Sequence, residues 1–215
     1  MDISQVVYTL GRKEPSGVSL LGTAFAVSND KVATAYHVVG PSDENLVLVL
    51  PRVQSLSDYQ DTTDRSLRTI PVSMAAPDPI RDIAVLQLPK TFRMNFTYSL
   101  TGSDYAPTGS EVFTLGFPHA NFGRLVLTRQ NAHVGARVLI ENSGRKSKHL
   151  ILNTQAREGQ SGGPVMDTLG GNVLAMVIGS YAPGGGGMIS IGGVDPATLH
   201  QTTHAISSEY IGDML

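Results

Sequence analysis

Three residues far apart in the chain, His37, Asp82 and Ser161, carry side chains that could act together as a hydrolytic centre. Ser161 lies in the stretch "AREGQSGGPVMD", next to Gly162 and two residues after Gly159. Glycine is used where the backbone takes a positive φ or approaches another group closely, and such a turn can direct several N–H groups into one small space. A serine hydroxyl there is a candidate nucleophile if a base and an orienting acid lie nearby. Taken alone, the stretch is equally compatible with a tight turn between strands.

The candidate base and acid each border a strand-like segment. His37 in "VATAYHVVG" follows such a segment; a histidine beside apolar residues is often structural, but the pKa of imidazole, near 6.5, also makes it the usual base for a serine hydroxyl. Asp82 precedes the apolar run Ile83–Leu88, where burial is costly unless the carboxylate is paired. A histidine N–H would satisfy this carboxylate and fix the tautomer of the ring. The chain order His–Asp–Ser is informative because unrelated folds that build this triad use different orders.

Composition restricts the class of protein. The chain has 215 residues, 41% of them hydrophobic, which is enough for a core in one domain or in two small lobes. Only 16% of the residues are charged and the net charge is −2, so there is no electrostatic case for nucleic acid or for an anionic membrane surface. Cysteine is absent, which excludes disulfides and thiolate metal sites.

The first residues do not have the pattern of a secretory signal. "MDISQVVYTLGRKE" lacks a basic start and a long apolar run. The longest apolar stretches, "LVLVLP" and "VLAMVIG", are far shorter than the ~20 residues that a membrane span needs. We therefore expect a soluble cytoplasmic protein, or a periplasmic one if a leader has been removed.

Short β-branched runs separated by turn residues dominate the chain, which contains 23 Gly and 12 Pro. This pattern predicts an all-β barrel or sandwich, with a break at Lys90–Ser110 that divides the strands into two sets of about six. The end, "SSEYIGDML", predicts a helix with Ser207 or Ser208 as its N-cap. The predicted strands are Val6–Leu10, Val18–Val27, Lys31–Ala35, Asn45–Val53, Arg68–Ala75, Ile83–Leu88, Glu111–Gly116, Leu125–Val138, His149–Thr154, Gly163–Asp167, Val173–Ile178 and Met188–Ile191.

The segments "GTAFAVSNDKVATAYHVV", "RDIAVLQL" and "GQSGGPV" resemble the His, Asp and Ser motifs of chymotrypsin-like serine proteases, in detail the bacterial trypsin-like and HtrA-type branch. "EVFTLGFPHANFG" and "THAISSEYI" are similar to segments that open and close the second barrel in HtrA-type domains, so the resemblance covers about Gly22 to Ile211. It implies two six-stranded antiparallel β-barrels with a short C-terminal helix. Residues 1–95 would carry the histidine and the aspartate, and residues 96–215 would carry the serine and the specificity pocket.

The resemblance also implies roles for the matching residues. Ser161 would be the nucleophile, His37 the general base and then acid, and Asp82 the group that orients His37. The backbone amides of Gly159 and Ser161 would form the oxyanion hole. This chemistry proceeds through an acyl-enzyme and calls for no cofactor and no metal.

Two positions bear on activation and specificity. Gln160 stands where digestive members carry an aspartate that pairs with a newly cut N-terminus, which argues against activation by that route. Gln155, six residues before the serine, would lie at the floor of the primary pocket, with Ile178, Gly179 and Ser180 as one wall. The absence of an acid there predicts a small or aliphatic residue at the cleaved position.

Two further segments have simpler explanations than a catalytic role. "HQTTH" has metal-ligand spacing but lacks the adjacent glutamate, so a metal role is disfavoured. "APGGGG", residues 182–187, is most simply a loop beside the cleft. The favoured function is a serine endopeptidase that acts on proteins or peptides. The alternatives are an esterase and a latent or inactive protease-fold domain that serves as a regulated effector or binding module, with a regulatory partner or a fused sensor domain.

Overall fold

The computed structural model describes residues 2–169, 171–181 and 202–215, and these residues form two antiparallel β-sheets with very little helix. The first sheet has the strand order β5-β4-β1-β2-β3-β7-β6 and curls into a half-barrel. Its strands are β1 Val7–Glu14, β2 Gly17–Ala26, β3 Lys31–Ala35, β4 Leu46–Val49, β5 Thr69–Pro71, β6 Ser73–Asp78 and β7 Ile83–Gln87. The short helix α1, Tyr36–Val39, follows β3 directly.

The second sheet has the order β12-β9-β10-β11-β14-β13-β8, and pairing of β12 with β13 closes six of its strands into a barrel. The two-residue strand β8 adds to β13 in parallel at the outside. A short helix, α2, Glu209–Gly212, ends the fold. The strands are β8 Ser99–Leu100, β9 Glu111–Gly116, β10 Thr128–Asn142, β11 Arg145–Leu152, β12 Pro164–Asp167, β13 Asn172–Tyr181 and β14 Thr202–Ser207.

The all-β class expected from the strand pattern and the double barrel implied by the resemblance are both confirmed. The differences concern strand bounds, one split strand and the short strand β8, which was not predicted. The run predicted as one strand, Arg68–Ala75, splits into β5 and β6, since Pro71 lacks the N–H that a continuous ladder would use. The strand predicted over Leu125–Val138 runs further, to a two-residue turn at Ser143 and Gly144. Both turn residues have positive φ, as tight hairpins with a type I′ turn require. The strand predicted over Met188–Ile191 lies outside the described residues.

Ser208 does occupy the N-cap position of α2, but its hydroxyl does not cap the helix. It donates instead to the carbonyl of Val173 in β13, at 2.6 Å. The serine therefore fastens the helix to the second barrel, and the helix itself is only four residues long. No helix in the described ranges has the length and apolar character needed to cross a membrane.

One hydrophobic core continues from the first sheet into the second. Phe25 and Leu86 of the first sheet belong to the same buried cluster as Met166 and Met176 of the second. A separate cluster that includes Leu150 and Leu174 fills the second barrel. The shared cluster means that the two barrels pack as one body, with a cleft at their junction.

Thr23 of β2 is the polar link across this junction. Its side chain is fully buried, its hydroxyl donates to the carbonyl of Gly159 at 2.7 Å, and the same oxygen accepts from the amide of Phe117 at 3.1 Å. Its backbone N–H donates to the carbonyl of Ser161 at 2.9 Å. These three bonds join β2 to two different segments of the second barrel.

We expect Thr23→Val to destabilise the protein, because the nearly isosteric change leaves the amide of Phe117 and the carbonyl of Gly159 buried without this partner. Each such group costs about 1–3 kcal/mol. Thr9→Val is the matched control: Thr9 is as deeply buried, but its hydroxyl has no hydrogen-bond partner among the described residues, so its removal is expected to be neutral or stabilising. Urea unfolding of both variants measures the difference, and an equal loss in the two would contradict a special role of Thr23.

Candidate active site

His37 is positioned by the short helix α1, which turns the chain back over the first sheet. Val38 and Val39 of this helix are buried, while the side chain of His37 remains 51% exposed and faces solvent. Helix α1 packs tightly on β2 at Gly22, where an added Cβ would lie 2.8 Å from a methyl group of Val38 and 3.1 Å from the carbonyl oxygen of Ser161. Gly22 therefore brings α1 and the serine segment to the same point.

Asp82 is held in an uncommon backbone conformation at the start of β7. Its φ is +58°, in the left-handed region, which aspartate tolerates better than most residues. Its carbonyl accepts from the amide of Tyr36 at 3.1 Å. One carboxylate oxygen accepts from the backbone N–H of His37 at 2.8 Å, and the other lies 2.6 Å from the Nδ1 of the same residue. The carboxylate thus fixes both the backbone and the ring of His37.

This contact determines what the imidazole can do. With the Nδ1 proton directed at the carboxylate, Nε2 is the ring nitrogen left to accept a proton. The Asp82 side chain is 27% exposed, so its charge is partly desolvated. A carboxylate in this position stabilises the imidazolium that forms when Nε2 takes up a proton.

Arg81 ties the aspartate's loop to the second barrel. Its guanidinium pairs with Asp78 at 2.9 Å, its Nε donates to Ser147 Oγ at 3.2 Å, and its Cζ lies 4.4 Å from the centre of the Tyr210 ring. Ser147 belongs to β11 and Tyr210 to α2. The residue next to Asp82 is therefore anchored on elements of the opposite barrel.

The loop before Ser161 is closed by a buried glutamine. Gln160 is 4% exposed; its backbone N–H donates to the carbonyl of Arg157 at 3.0 Å, and its side-chain oxygen accepts from the amide of Arg157 at 2.6 Å. Its side-chain nitrogen donates to Gln130 of β10 at 3.3 Å. Hydrogen bonds of an uncharged side-chain amide therefore hold this loop in place.

Two glycines of the loop occupy positions that no other residue would fit. Gly159 has a φ of +91° and an added Cβ would collide with the carbonyl of Phe117 and lie 2.8 Å from the amide of Ala120. Gly162 has a φ of +87° and its Cβ would overlap the carbonyl of Thr23. Both the left-handed conformation and the close approach of backbone explain the glycines in "GQSGG".

The peptide that joins Glu158 to Gly159 has a fixed orientation. The carbonyl of Glu158 accepts from the amide of His119 at 2.6 Å, and since the peptide is trans, the N–H of Gly159 points the opposite way. Over the described ranges, neither Gly159 N–H nor Ser161 N–H donates to a protein acceptor. Two amides on either side of Gln160 are thus available to an external acceptor.

The hydroxyl of Ser161 donates to the carbonyl of Ile178 at 3.4 Å, longer than an ordinary O–H···O bond. Within the described part of the chain, no hydrogen bond joins Ser161 to His37. Rotation about one side-chain bond, a picosecond to nanosecond event, changes where the hydroxyl points. Catalytic hydrogen bonds also commonly form only when substrate is bound.

A cavity of about 470 Å³ opens beside Ser161. Of the residues predicted to line a substrate pocket, Gly179 does line it. Gln155 is half-buried, and its carbonyl accepts a hydrogen bond from Gln130 at 3.3 Å. The carbonyl of Ile178 accepts from the hydroxyl of Ser161. Ser180 belongs to β13. Residues 182–187, the "APGGGG" segment, lie outside the described residues. The lining residues are His119, Phe122, Ala156, Arg157, Glu158, Ser161 and Gly179.

Sequence reasoning missed four residues that shape this site: Arg81, His119, Asn121 and Gln130. Each makes a hydrogen bond to a residue that is distant in the chain: Arg81 to Ser147, His119 and Asn121 to Glu158, and Gln130 to Gln160. The turn residues around "FPHANFG" were the one local signal near His119 and Asn121.

The described residues contain no group of three or more His, Asp or Glu side chains that could hold a metal ion. His200 of the "HQTTH" segment lies outside the described residues.

Two packed β-barrels with a histidine–aspartate pair in one and a glycine-framed serine in the other define a chymotrypsin-fold domain. The family model described as "Trypsin-like peptidase domain" matches residues 22–176, and the chain belongs to this family of serine proteases. No curated protein matches the chain.

Solved structures with the same fold come from several bacterial proteases. The MamO protease domain from Magnetospirillum magneticum is 15% identical, with a TM-score of 0.69 over 99% of this chain and 97% of that one. The active form of the Rv3671c protease from M. tuberculosis is 22% identical, with a TM-score of 0.68 over 99% and 80%. The HtrA-type protease AlgW, solved with a tripeptide, is 20% identical, with a TM-score of 0.65 over 96% and 57%. At these identities the likeness concerns the fold alone.

Proposed function

We propose that this serine protease is an endopeptidase that cleaves peptide bonds through an acyl-enzyme on Ser161. The observation that carries the proposal is the pairing of His37 with Asp82 through both the ring and the backbone, at 2.6 and 2.8 Å. Next to it lies the serine loop, in which two amides have no acceptor among the described residues. The ring of His37 is exposed, and the same carboxylate also holds its backbone. A histidine with a purely structural role would need neither feature.

In this mechanism Ser161 Oγ attacks the carbonyl carbon of the substrate while His37 Nε2 takes its proton. The resulting oxyanion accepts hydrogen bonds from the N–H groups of Gly159 and Ser161. His37 then gives the proton to the leaving amine, and the bond between carbon and nitrogen breaks. A water molecule activated by His37 releases the acyl group and restores the serine.

The serine hydroxyl must leave the carbonyl of Ile178 for this step. Their separation of 3.4 Å makes the bond weak, so little is lost by the rotation. The two amides are oriented in advance by bonds to the carbonyls of their own peptides. His119 N–H bonds to the carbonyl of Glu158, which fixes the Gly159 amide, and Gly163 N–H bonds to the carbonyl of Gln160 at 3.0 Å, which fixes the Ser161 amide. A preorganised donor of this kind contributes about 10²- to 10³-fold to turnover in comparable sites.

For the residue at the cleaved position, we infer a preference for small or aliphatic side chains. Support comes from Gly179, which lines the cavity without a side chain. Gln155, the predicted floor, is neutral but is not one of the described residues that line this cavity. Glu158 is the one acid among the described residues that line this cavity; it is exposed, and its carboxylate accepts from Asn121 at 2.7 Å. An exposed carboxylate gives a cation only a weak, water-screened pair, so a lysine or arginine that enters the cavity loses hydration without full compensation.

We expect a fluorophosphonate probe to label the wild-type protein and not Ser161→Ala, because the probe requires an activated serine. Ser57→Ala, in an exposed loop of the first barrel, is the control and should be labelled like the wild type. Intact-mass spectrometry reads the result. Labelling that persists without the Ser161 hydroxyl would show a different nucleophile, and an unlabelled wild type would favour the latent or inactive domain.

Asp82→Asn is expected to lower turnover by about 10⁴, since an amide stabilises the wrong tautomer of His37 and cannot stabilise the imidazolium. The asparagine oxygen can still accept from the backbone of His37, so the melting temperature should change little. Asp78→Asn is the control: this carboxylate pairs with Arg81, and its loss should affect stability more than turnover. The assignment is wrong if Asp78→Asn abolishes turnover while Asp82→Asn does not.

Profiling a peptide library by mass spectrometry is expected to favour Val, Ala, Leu or Ile over Lys or Arg at the cleaved position by at least about tenfold in kcat/KM. The reason is that each buried CH₂ contributes about 0.8 kcal/mol, whereas a cation would find at most the exposed carboxylate of Glu158 as a partner. Dominant cleavage after basic residues would contradict this preference. If Glu158→Gln then removed the basic preference, Glu158 would be the acid responsible.

A further inference from the structure

A second cavity, of about 580 Å³, lies next to the one at Ser161. Three separated segments and one further side chain form it: the start of β2 with Val18 and Leu20, the loop of residues 62–67, the turn of residues 121–125, and Arg52. We call it the β2 groove. None of the residues in the proposed catalytic mechanism lines it.

The β2 groove borders the Ser161 cavity. Phe122 lines both cavities and is 75% exposed, so it lies between them. Asn121 lines the groove and donates to Glu158, which lines the Ser161 cavity. A molecule bound at Ser161 can therefore extend past Phe122 into the groove.

Strand β2 offers this molecule an edge with which to pair. Over Gly17–Leu20 β2 pairs with β1 on one side, while its pairing with β3 on the other side involves only Phe25 and Ala26 among the described strands. An unpaired strand edge binds extended peptides by main-chain hydrogen bonds. Thr23 bonds to Ser161, and Leu20 lies three residues further along β2, roughly 10 Å away at about 3.3 Å per residue.

The charge of the β2 groove is positive. Arg52 serves the loop itself, because it donates to the carbonyls of Asp64, at 2.7 Å, and of Ser66, and its Nε lies 3.9 Å from the Asp64 carboxylate. Arg65 and Arg124 also line the groove and are exposed. Neither has an ion-pair partner among the residues that the structure describes, so two guanidinium groups remain available to a ligand.

We propose that the β2 groove binds the leaving-group side of the peptide substrate and selects Asp or Glu at the second to fourth residues after the cleaved bond. The proposal rests on the proposed function: the residue at the cleaved position would occupy the side of the cavity lined by Gly179, and the chain beyond the bond would pass Phe122. Guanidinium groups match carboxylates in geometry and charge. Phe122 and Leu67, both lining the groove, offer apolar contacts to the same segment.

The selectivity has a limited size because both arginines are exposed. Exposed ion pairs contribute little individually and are screened by salt. We therefore expect two such pairs together to raise affinity by about fivefold at low ionic strength. The same preference should largely disappear at about 0.5 M salt, where the screening length is only a few ångström.

Binding to the Ser161→Ala protein tests the proposal without any need for turnover. Two fluorescein-labelled peptides share an aliphatic residue at the cleaved position and differ only in Asp or Glu versus Asn or Gln at the second to fourth residues beyond it. Fluorescence anisotropy at about 0.05 M salt should show the acidic peptide binding about fivefold more tightly. The ratio should fall toward one in the additional double substitution of Arg65 and Arg124 to Gln.

The control carries Arg145→Gln and Lys146→Gln instead, which remove the same charge from exposed positions of β11 and should leave the ratio unchanged. Equal binding of the two peptides, no binding of either, or an equal effect of the control would overturn the proposal. Fluorophosphonate labelling of the wild type is read separately. Acid-selective binding in a protein that the probe does not label would refute the proposed function and leave the groove as a peptide site.

Discussion

The close contact between strand β2 and the loop that carries Ser161 is the constraint on which the rest of the site depends. Gly162 approaches the backbone of Thr23 so closely that a single added carbon would overlap it. The N–H of Thr23 bonds to the carbonyl of Ser161, and its hydroxyl bonds to that of Gly159. The serine loop is therefore shaped by a strand of the opposite barrel, and neither barrel could form this arrangement alone.

The histidine–aspartate pair depends on the junction in the same way. His37 in α1 and Asp82 before β7 both belong to the first barrel, yet Arg81 reaches across to Ser147 and Tyr210 of the second barrel. Asp82 is in a left-handed conformation that most residues avoid, and such conformations persist when their surroundings determine them strongly. Contacts from both sides of the cleft thus hold the carboxylate that orients the imidazole.

The serine loop keeps its shape by neutral hydrogen bonds. Gln160 is buried, and its side-chain oxygen accepts from the amide of Arg157, which closes the loop. Its side-chain nitrogen donates to the side-chain oxygen of Gln130 in β10. His119 fixes the peptide before Gly159 from a third direction. These bonds, all from neutral groups in the described part of the chain, fix the loop around Gln160. That activation does not depend on a newly cut N-terminus stays a prediction from the residue type of Gln160.

The sequence by itself determined most of the strands, because alternation of apolar residues and the placement of Gly and Pro are local signals. It also indicated the glycine-framed serine and the candidate pair His37 and Asp82. The hairpin turn at Ser143–Gly144 could have been predicted from its residue types. The predicted strands missed it, because one ended at Val138 and the next began only at His149, whereas β10 and β11 extend up to the turn. What only the tertiary structure decided are the contacts between distant segments: Arg81 with the second barrel, Gln130 with Gln160, and the β2 groove. Such contacts leave no periodic pattern in the chain, since they depend on how two complete barrels pack rather than on the preferences of neighbouring residues.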